Sequence, residues 1–274
     1  MARLGVLGWP VAHSRSPAMH NAALASLGLS GWRYQRLPVP PELLAATVAA
    51  LPALGFAGVN VTIPHKQAAL ALAGEASAAA RAIGAANTLT FARGSIAAQN
   101  TDAPGLLEAL AVPVGGLSAL VLGAGGSARA AVWALLDAGA GEVSVWNRTP
   151  ERALALAREL GARAVPRPVG ADLLVNCTAV GLGGAPIPSA SARDQLNQLG
   201  LTFDQVGGYP NVVDLVYSEG QTALIRAAAT HGAHTVGGLE VLVAQGALSL
   251  ELWTGRPAPR ELMRSAVASS AARC

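Results

Sequence analysis

A glycine-rich turn between an apolar strand and a helix constrains this chain more than any other stretch. Ser118–Leu122 is an apolar run typical of a strand buried in a parallel sheet, and residues 129–138 have a helical pattern. In the connecting G-x-G-x-x-A, Gly123 permits a tight turn, Gly125 lets the backbone approach a pyrophosphate, and Ala128 lets the helix pack on the strand. We therefore predict a Rossmann-type dinucleotide-binding domain whose phosphate loop is Gly123, Ala124, Gly125, Gly126, Ser127 and Ala128.

The end of the next strand predicts which dinucleotide is bound. The strand Glu142–Trp146 is followed by Asn147, Arg148 and Thr149, and Arg152 comes shortly after. An NAD site would place a carboxylate here for the ribose 2′-hydroxyl, and that carboxylate would repel a 2′-phosphate. Guanidinium groups and a hydroxyl would instead hold the phosphate. We predict NADP(H), with Arg148 ranked above Arg152 because Arg152 also suits an ordinary helix surface.

The first hundred residues alternate between strand and helix patterns. Strands are predicted over 3–8, 33–39 and 56–63, with helices over 18–27 and 42–54. This alternation indicates an α/β fold with a mainly parallel sheet. Val112–Gly116 has the composition of a linker, so we expect two domains.

The remaining elements are predicted with the same patterns. They are a helix over 75–83, a hairpin over 89–91 and 96–99 turning at Arg93-Gly94, and strands over 171–176, 211–216 and near Thr235. They continue with helices over 193–199, 222–231 and 237–253, and end in a frayed segment over 265–274.

Composition narrows the class of protein. The 274 residues are 52% apolar and 13% charged with a net charge of +3, which indicates a globular chain and argues against nucleic acid as a partner. Cys177 and Cys274 do not form a disulfide framework, so we expect a reducing, cytoplasmic location. Residues 1–14 lack signal-peptide features, and the uncharged run 43–64 contains Pro, Gly and Asn, so we predict no membrane segment and no metal site.

Lys66 is the candidate acid/base. It is the single lysine among 19 Lys and Arg residues, and unlike arginine it can exchange a proton near neutral pH. The alternative is a solvated surface lysine. His65 and His13 are rival acid/base candidates ranked below it, whereas His20 is expected to pack on the first helix.

Other polar residues have both a functional and an ordinary interpretation. Ser16 before Pro17 suits a helix N-cap, which leaves Ser14 available to help bind a carboxylate at the helix start. Asp102 is typical of a helix cap. Gln245 in an apolar helix suits either a satisfied core amide or a contact to a polyol.

Together these residues form ordered blocks that resemble the shikimate dehydrogenase family along essentially the whole chain. The blocks are His13-Ser14-x-Ser16-Pro17-x-x-His20-Asn21, Gly58-Val59-Asn60-Val61-Thr62-x-Pro64-x-Lys66, Gly84-Ala85-x-Asn87-Thr88, Asn100-Thr101-Asp102-x-x-Gly105, Gly123-Ala124-Gly125-Gly126-x-x-Arg129-Ala130, Asn147-Arg148-Thr149, Asp214-Leu215-Val216-Tyr217 and Gln245-Gly246-Ala247. The chain departs from the family pattern after Tyr217, where Ser218-Glu219-Gly220 replaces a proline turn, and in 241–244, which lacks a Met.

The resemblance implies a fold, a reaction and a set of site residues. The family reduces 3-dehydroshikimate to shikimate with NADPH, in aromatic amino acid biosynthesis. A discontinuous substrate domain would comprise 1–102 and 238–274, and a cofactor domain 103–237. Lys66 and Asp102 would form the catalytic pair, and the other site residues would be Ser14, Ser16 and Tyr217 for the carboxylate, Asn60, Thr62, Asn87 and Gln245 for the ring, and Thr178, Val216 and Gly238 for the cofactor. The chain is expected to be a monomer or homodimer.

Two alternatives stay open at this point. A quinate/shikimate dehydrogenase accepting NAD is disfavoured by Asn147, where an acidic residue would be expected. A non-catalytic module that senses NADPH or a metabolite is disfavoured because both Lys66 and Asp102 are retained.

Overall fold

The computed structural model describes residues 2–92, 94–182, 189–218 and 220–271 of the chain. Arg93, Glu219 and Cys274, which the sequence analysis mentions, lie outside these ranges. Two compact units are present: Met1–Gly105 with Leu242–Cys274 (the first unit) and Leu106–Val241 (the second unit). The functional domains expected above, 1–102 with 238–274 and 103–237, remain a prediction.

The elements in the described ranges follow the alternation expected from the sequence. The strands are β1 Ala2–Gly8, β2 Trp32–Pro38, β3 Phe56–Val61, β4 Glu75–Ala76, β5 Thr88–Ala92, β6 Ser95–Gln99, β7 Ser118–Leu122, β8 Glu142–Trp146, β9 Arg163–Ala164, β10 Leu173–Asn176, β11 Asn211–Asp214 and β12 His234–Val236. The helices are α1 Ser16–Ser26, α2 Leu44–Ala50, α3 Lys66–Ala71, α4 Ala78–Ile83, α5 Asp102–Leu110, α6 Gly126–Asp137, α7 Pro150–Leu160, α8 Ser189–Gln198, α9 Phe203–Val206, α10 Ala223–Thr230, α11 Gly238–Thr254 and α12 Arg260–Ala271.

The first unit is built on a mixed sheet with the strand order β2-β1-β3-β5-β6-β4. Strand β1 is parallel to β2 and β3, the hairpin β5–β6 continues the sheet in antiparallel pairing, and β4 is parallel to β6. The α/β class with mainly parallel sheets is therefore confirmed. Ser14, Thr62 and Asp102 follow β1, β3 and β6, whereas Asn60 lies on β3, Asn87 directly before β5 and Gln245 on α11.

The second unit is a doubly wound parallel sheet with the order β12-β11-β10-β7-β8-β9. Numbered within the unit, this is 6-5-4-1-2-3, the strand order of dinucleotide-binding domains. Alternate residues of β7 enter two different cores. Ala119 and Val121 pack with α6, whereas Leu120 and Leu122 pack with α8 and α10. Because helices cover both faces, residues 119–122 of β7 are apolar at successive positions and not at every second one.

Three local predictions were wrong. The segment 75–83 is not one helix, because Glu75–Ala76 pairs with β6 and Ser77 Oγ then caps α4 by accepting from the Ala80 N–H at 3.1 Å. The residues after the predicted helix 193–199, up to Gly208, were expected to be loop, but they contain a second helix, α9. Its signal is the capping box at Thr202 and Gln205, which the sequence contains as T-x-x-Q.

The C-terminal segment was also predicted incorrectly. Residues 265–271 are helical and belong to α12, which packs against α1. Met263 and Val267, one turn apart, are completely buried. Alanines and serines make up much of this helix, so its narrow apolar face became recognisable only once a packing partner was known.

Within the described ranges, none of the helices has the length and apolar character required to span a bilayer.

Candidate active site

Lys66 and Asp102 form an ion pair in the first unit. Each is the first residue of its helix, α3 and α5, and Lys66 Nζ lies 2.6 Å from Asp102 Oδ2. Their side chains are 10% and 13% exposed, so the pair is largely shielded yet reachable. Asp102 is not the helix cap that its position suggested, since the Ala103 N–H donates to Asn100 Oδ1 at 3.2 Å. The carboxylate is therefore available to the lysine.

Asn87 fixes the second oxygen of the Asp102 carboxylate. The backbone N–H of Thr101 donates to Asn87 Oδ1 at 2.7 Å, and because an N–H can only donate, this contact sets the orientation of the amide. Asn87 Nδ2 then donates to Asp102 Oδ1 at 2.9 Å and to Gln245 Oε1 at 3.1 Å. Lys66 and Asn87 thus hold one carboxylate oxygen each.

Gln245 reaches this cluster from α11. Its Nε2 donates to Leu242 O at 2.9 Å, and its Oε1 accepts from Asn87. The approach of α11 requires Gly105, because a Cβ there would lie 2.8 Å from the Cα and Cβ atoms of Gln245. Both interpretations of Gln245 therefore apply, because its amide has hydrogen-bond partners in the core and also contacts Asn87, which binds the Asp102 carboxylate.

Asn60 lies deeper in the same unit, on β3. Its Oδ1 accepts from the Tyr34 hydroxyl at 2.7 Å, and its Nδ2 donates to Ser249 Oγ at 2.8 Å. Tyr34 and Ser249 were not singled out from the sequence. For Ser249 a signal existed, because it lies four residues after Gln245 and so occupies the same helix face.

The predicted carboxylate-binding serines lie at the start of α1 and are both buried. Ser16 is not the N-cap; Arg15 occupies that position without a side-chain cap, and Ser14 Oγ accepts from the Ser16 N–H at 3.4 Å. Arg36 Nε donates to the Ser14 carbonyl oxygen at 2.9 Å, so a guanidinium lies beside this loop. Nothing in the sequence distinguishes Arg36 from other strand arginines. Thr62 is half-buried, with its methyl group against Gly8.

The three histidines singled out from the sequence lie in different surroundings. His65 is buried with its Nε2 2.7 Å from Val39 O, and a carbonyl can only accept, so that nitrogen carries hydrogen. Burial, followed by the charge of a neighbouring arginine, lowers the pKa of His13. His20 is fully buried and stacked on Tyr34 with ring centroids 4.1 Å apart, which confirms its predicted packing role.

The glycine loop of the second unit has the geometry that a pyrophosphate requires. Gly123 has φ +110°, and a Cβ there would lie 3.2 Å from the backbone of Cys177. Gly125 is the N-cap of α6 and leaves open space around its Cα, so ligand atoms could approach the free N–H groups of the first turn. Ala128 is buried against the sheet. The loop therefore fits a dinucleotide.

Two exposed arginines follow the end of β8. Asn147 Nδ2 donates to the Thr149 carbonyl oxygen at 2.9 Å and so shapes the turn. Arg148 and Arg152 are exposed, and within the described part of the chain neither is in a salt bridge. Both guanidiniums are thus available to a 2′-phosphate.

A buried carboxylate, Asp214, organises the loops that follow β10 and β11. It accepts from Thr222 Oγ1 at 2.6 Å, Asn176 Nδ2 at 2.8 Å and the Val216 N–H at 3.1 Å. Asn176 Oδ1 in turn accepts from the Thr178 hydroxyl at 2.8 Å. Burial raises the pKa of Asp214 to about 6, although its hydrogen bonds act in the opposite direction. Two predicted cofactor residues, Thr178 and Val216, are therefore held by one network.

Tyr217, Val216 and Gly238 line a single cavity of about 290 Å³ in the second unit. Gly238 is required by close packing, because a Cβ there would lie 2.6 Å from the carbonyl oxygens of Leu215 and Val216. The structure thus brings together three predicted site residues of this unit.

The doubly wound unit with its glycine loop and exposed arginines, together with the buried Lys–Asp pair of the first unit, defines the class of NADP-dependent oxidoreductases. Three family models match the chain: "Shikimate dehydrogenase substrate binding domain" over residues 6–89, "Shikimate / quinate 5-dehydrogenase" over 108–173 and "Shikimate 5'-dehydrogenase C-terminal domain" over 238–268. The chain belongs to the shikimate dehydrogenase family.

Relatives of known name cover nearly the whole chain. The shikimate dehydrogenase (NADP(+)) of Methanopyrus kandleri is 43% identical over 285 residues, covering 96% of this chain and 94% of the relative. A protein of the same name from Thermus thermophilus is 48% identical over 260 residues, 93% of each chain. A crystal structure of shikimate 5-dehydrogenase from Thermus thermophilus, in complex with NADP(H) and shikimate, superimposes with a TM-score of 0.83 at 45% identity, covering 98% of this chain and 100% of that one.

The comparisons confirm the predicted family, the two-domain α/β class with a Rossmann-type domain, the oxidoreductase class and NADP(H) as the cofactor. The roles assigned to individual side chains, including the Lys66–Asp102 pair, stay predictions.

Proposed function

We propose that this chain catalyses the reversible NADP-dependent reduction of 3-dehydroshikimate to shikimate, with Lys66 and Asp102 as its catalytic pair. The observation that carries the proposal is the 2.6 Å contact between Lys66 Nζ and Asp102 Oδ2, with Asn87 holding the other carboxylate oxygen. Relatives that are 43% and 48% identical have the corresponding name. The first unit would bind the substrate and the second the cofactor.

Reduction of a ring ketone requires a hydride at carbon and a proton at oxygen. When bound, the cofactor supplies the hydride. Lys66 in its ammonium form stabilises the negative charge that develops on the ketone oxygen and donates the proton to it. Lys66 is left neutral and regains a proton from solvent. In the reverse reaction, neutral Lys66 accepts the proton of the substrate hydroxyl.

Asp102 orients Lys66 and contacts the substrate. Its two oxygens accept from Lys66 and Asn87, and a carboxylate has about four acceptor positions, so acceptor capacity remains for a ring hydroxyl. Gln245 donates one Nε2 hydrogen to Leu242 O, which leaves the second for a ring oxygen. We assign Asn60, Thr62 and Asn87 to the same ring face.

The substrate carboxylate would be bound by hydroxyl groups. Ser14 and Ser16 lie at the N-terminus of α1, whose free N–H groups and dipole favour an anion. The resemblance also assigns Tyr217, a residue of the second unit, to the carboxylate. The Arg36 guanidinium, tethered to the Ser14 carbonyl, adds positive charge beside this loop.

The cofactor would be held at three places in the second unit. Its pyrophosphate would lie against the N-terminus of α6 in the loop 123–128. Its 2′-phosphate would be bound by Arg148, with support from Asn147, Thr149 and Arg152. The remaining contacts would come from Thr178, Val216 and Gly238.

Quinate is the second candidate substrate, because one matching family model is described as "Shikimate / quinate 5-dehydrogenase". That match covers residues 108–173, which belong to the proposed cofactor unit. It therefore bears little on the choice of substrate, which the first unit would make.

The first test follows nucleotide reduction with shikimate or quinate and with NADP or NAD, in the wild type, Lys66→Ala, Lys66→Arg and Gln67→Ala. We expect NADP-dependent oxidation of shikimate in the wild type. Loss of the acid/base group should lower kcat on the order of 10²–10⁴-fold in Lys66→Ala. Lys66→Arg should be similarly slow, because it keeps the charge but cannot exchange a proton near neutral pH.

Gln67→Ala alters an exposed neighbour in α3 and should behave as the wild type. Normal turnover of Lys66→Ala would remove the catalytic pair from the proposal. A preference for quinate, or equal use of NAD, would favour the broader dehydrogenase. A folded wild type that binds NADP without turnover would favour the non-catalytic alternative.

The cytoplasmic location and the monomeric or homodimeric state remain predictions from the sequence.

A further inference from the structure

Three buried hydroxyl groups near the ion pair lie within hydrogen-bonding distance of one another. Thr88 Oγ1 and Thr101 Oγ1 lie 3.3 Å apart, and Ser249 Oγ lies 2.9 Å and 3.0 Å from them. All three residues are buried. We call this set the hydroxyl triangle (Thr88, Thr101 and Ser249).

Ser249 is the member of the triangle that α11 contributes. Its Oγ accepts from Asn60 Nδ2 at 2.8 Å and donates to Gln245 O at 3.0 Å, besides contacting both threonines. Each hydroxyl has one hydrogen and two acceptor positions, so Ser249, once it donates to Gln245 O, can accept from two of its other three neighbours at a time. Removal of this oxygen would redistribute the hydrogen bonds of the cluster, because Asn60 Nδ2 and both threonine hydroxyls also contact Asn87, at 3.2 Å each.

Each corner of the triangle adjoins a group of the proposed site. Thr88 follows Asn87, Thr101 precedes Asp102, and Ser249 lies one helical turn after Gln245. Both threonine hydroxyls also lie 3.2 Å from Asn87 Oδ1. The triangle therefore joins α11 to the residues that orient the Asp102 carboxylate.

We propose that Ser249 is a positioning residue for the Lys66–Asp102 pair, acting through the hydroxyl triangle on Asn87 and Asp102. The inference rests on the proposed function. Without the Ser249 hydroxyl, Thr88 and Thr101 would turn toward other acceptors, and the Asn87 amide would shift. Asp102 would then lose the geometry in which it holds Lys66 against the substrate.

The test compares Ser249→Ala with Thr254→Val, a matched control in the same helix. Both hydroxyls donate to the carbonyl four residues earlier, at 3.0 Å for Ser249 and 2.8 Å for Thr254, but only Ser249 belongs to the triangle. The measurements are kcat, KM for shikimate and for NADP, the pH profile of kcat, and the thermal midpoint. We expect Ser249→Ala to lower kcat about tenfold to a hundredfold.

The pH profile of Ser249→Ala should also be displaced, since the environment of the ion pair changes, while KM for NADP stays within about twofold of the wild type. Thr254→Val should keep the wild-type kcat and pH profile. A purely structural role would lower the thermal midpoint of Ser249→Ala and leave kcat and its pH profile unchanged, which would overturn the inference. If Ser249→Ala does not fold, Thr88→Val removes another corner of the triangle and is judged by the same criteria.

Failure of this inference can be told apart from failure of the proposed function. Shikimate turnover that survives Lys66→Ala would overturn the catalytic pair itself. Turnover that is lost in Lys66→Ala but intact in Ser249→Ala and Thr88→Val would overturn only the positioning role.

Discussion

Most of the buried polar side chains in the first unit have hydrogen-bond partners, and many of them belong to the network around the ion pair. His20 differs, because it is fully buried and neither of its ring nitrogens has a hydrogen-bond partner. Its ring stacks on Tyr34 with an interplanar angle of 5°. Burial lowers the pKa of His20 from 6.5 to about 3, so the ring is neutral in the folded chain at neutral and mildly acidic pH.

This burial predicts a specific acid sensitivity. Between pH 6.5 and 3 the unfolded chain protonates His20 and the folded chain does not, so the free energy of unfolding falls as the pH falls. At pH 4.5 the protonation of His20 in the unfolded chain should lower the free energy of unfolding by about 2–3 kcal/mol. Urea denaturation of the wild type and His20→Phe at pH 7.5 and 4.5 measures it. Between pH 7.5 and 4.5, the free energy of unfolding of the wild type should fall by this amount more than that of His20→Phe.

His234→Gln, at an exposed position, is the control and should keep the pH dependence of the wild type. An identical pH dependence for His20→Phe and the wild type would show that His20 is protonated, or hydrogen-bonded to water, in the folded chain.

At the scale of elements, helix packing completes the first unit. Helix α12 lies against α1, which carries Ser16 at its start and His20 in its middle. Helix α11 contributes Gln245 and Ser249 to the polar cluster, and its Trp253 Nε1 donates to Leu89 O at 3.1 Å. The C-terminal helices therefore supply both core and site to a sheet formed by the first hundred residues.

Two adjacent residues of α12 allow this packing to be tested. Met263 is 0% exposed and Leu262 is 40% exposed. Met263→Ala leaves a cavity and should lower the free energy of unfolding by about 2–5 kcal/mol. Leu262→Ala should change it by less than about 0.5 kcal/mol. Chemical denaturation of both variants gives the comparison, and equal effects would argue against a buried α12.

At the scale of the molecule, the chain contains two units with separate sheets and cores. The first contains the Lys66–Asp102 pair and the second the glycine loop and Arg148. If these units correspond to substrate and cofactor domains, each ligand should stabilise its own unit most.

Hydrogen exchange with bound NADP tests this assignment. A ligand at a concentration of about 100 Kd stabilises the unit that binds it by about 2.7 kcal/mol, which is roughly a hundredfold in protection. We expect that protection in β7, β8 and α6, with smaller changes in β1 and β3. In the variant Arg148→Ala/Arg152→Ala the same NADP concentration should protect less, whereas NAD should protect the variant and the wild type equally. Protection confined to Met1–Gly105 would contradict the assignment.

Local patterns were sufficient for much of the second unit. The strands β7 and β8 have the predicted bounds. Residues 119–122 of β7 form an unbroken apolar run that ends at Gly123, and β8 ends before the polar Asn147. The preference for NADP followed from Asn147 and Arg148 at the end of β8. Lys66 stood out because arginine, the residue used everywhere else, cannot exchange a proton.

Only the tertiary structure decided what these residues contact. Lys66 and Asp102 are 36 positions apart in the sequence. The separation is 158 positions for Asn87 and Gln245, and 161 positions for Thr88 and Ser249. The same Asp102 could have capped its helix, and Asn100 takes that role instead. Hydrogen bonds require approach within about 3 Å and a defined angle, and no local pattern determines such an approach between distant segments. The sequence by itself thus determined the class of fold, the cofactor and the candidate groups, and the packing of α11 and α12 onto the first sheet decided their partners.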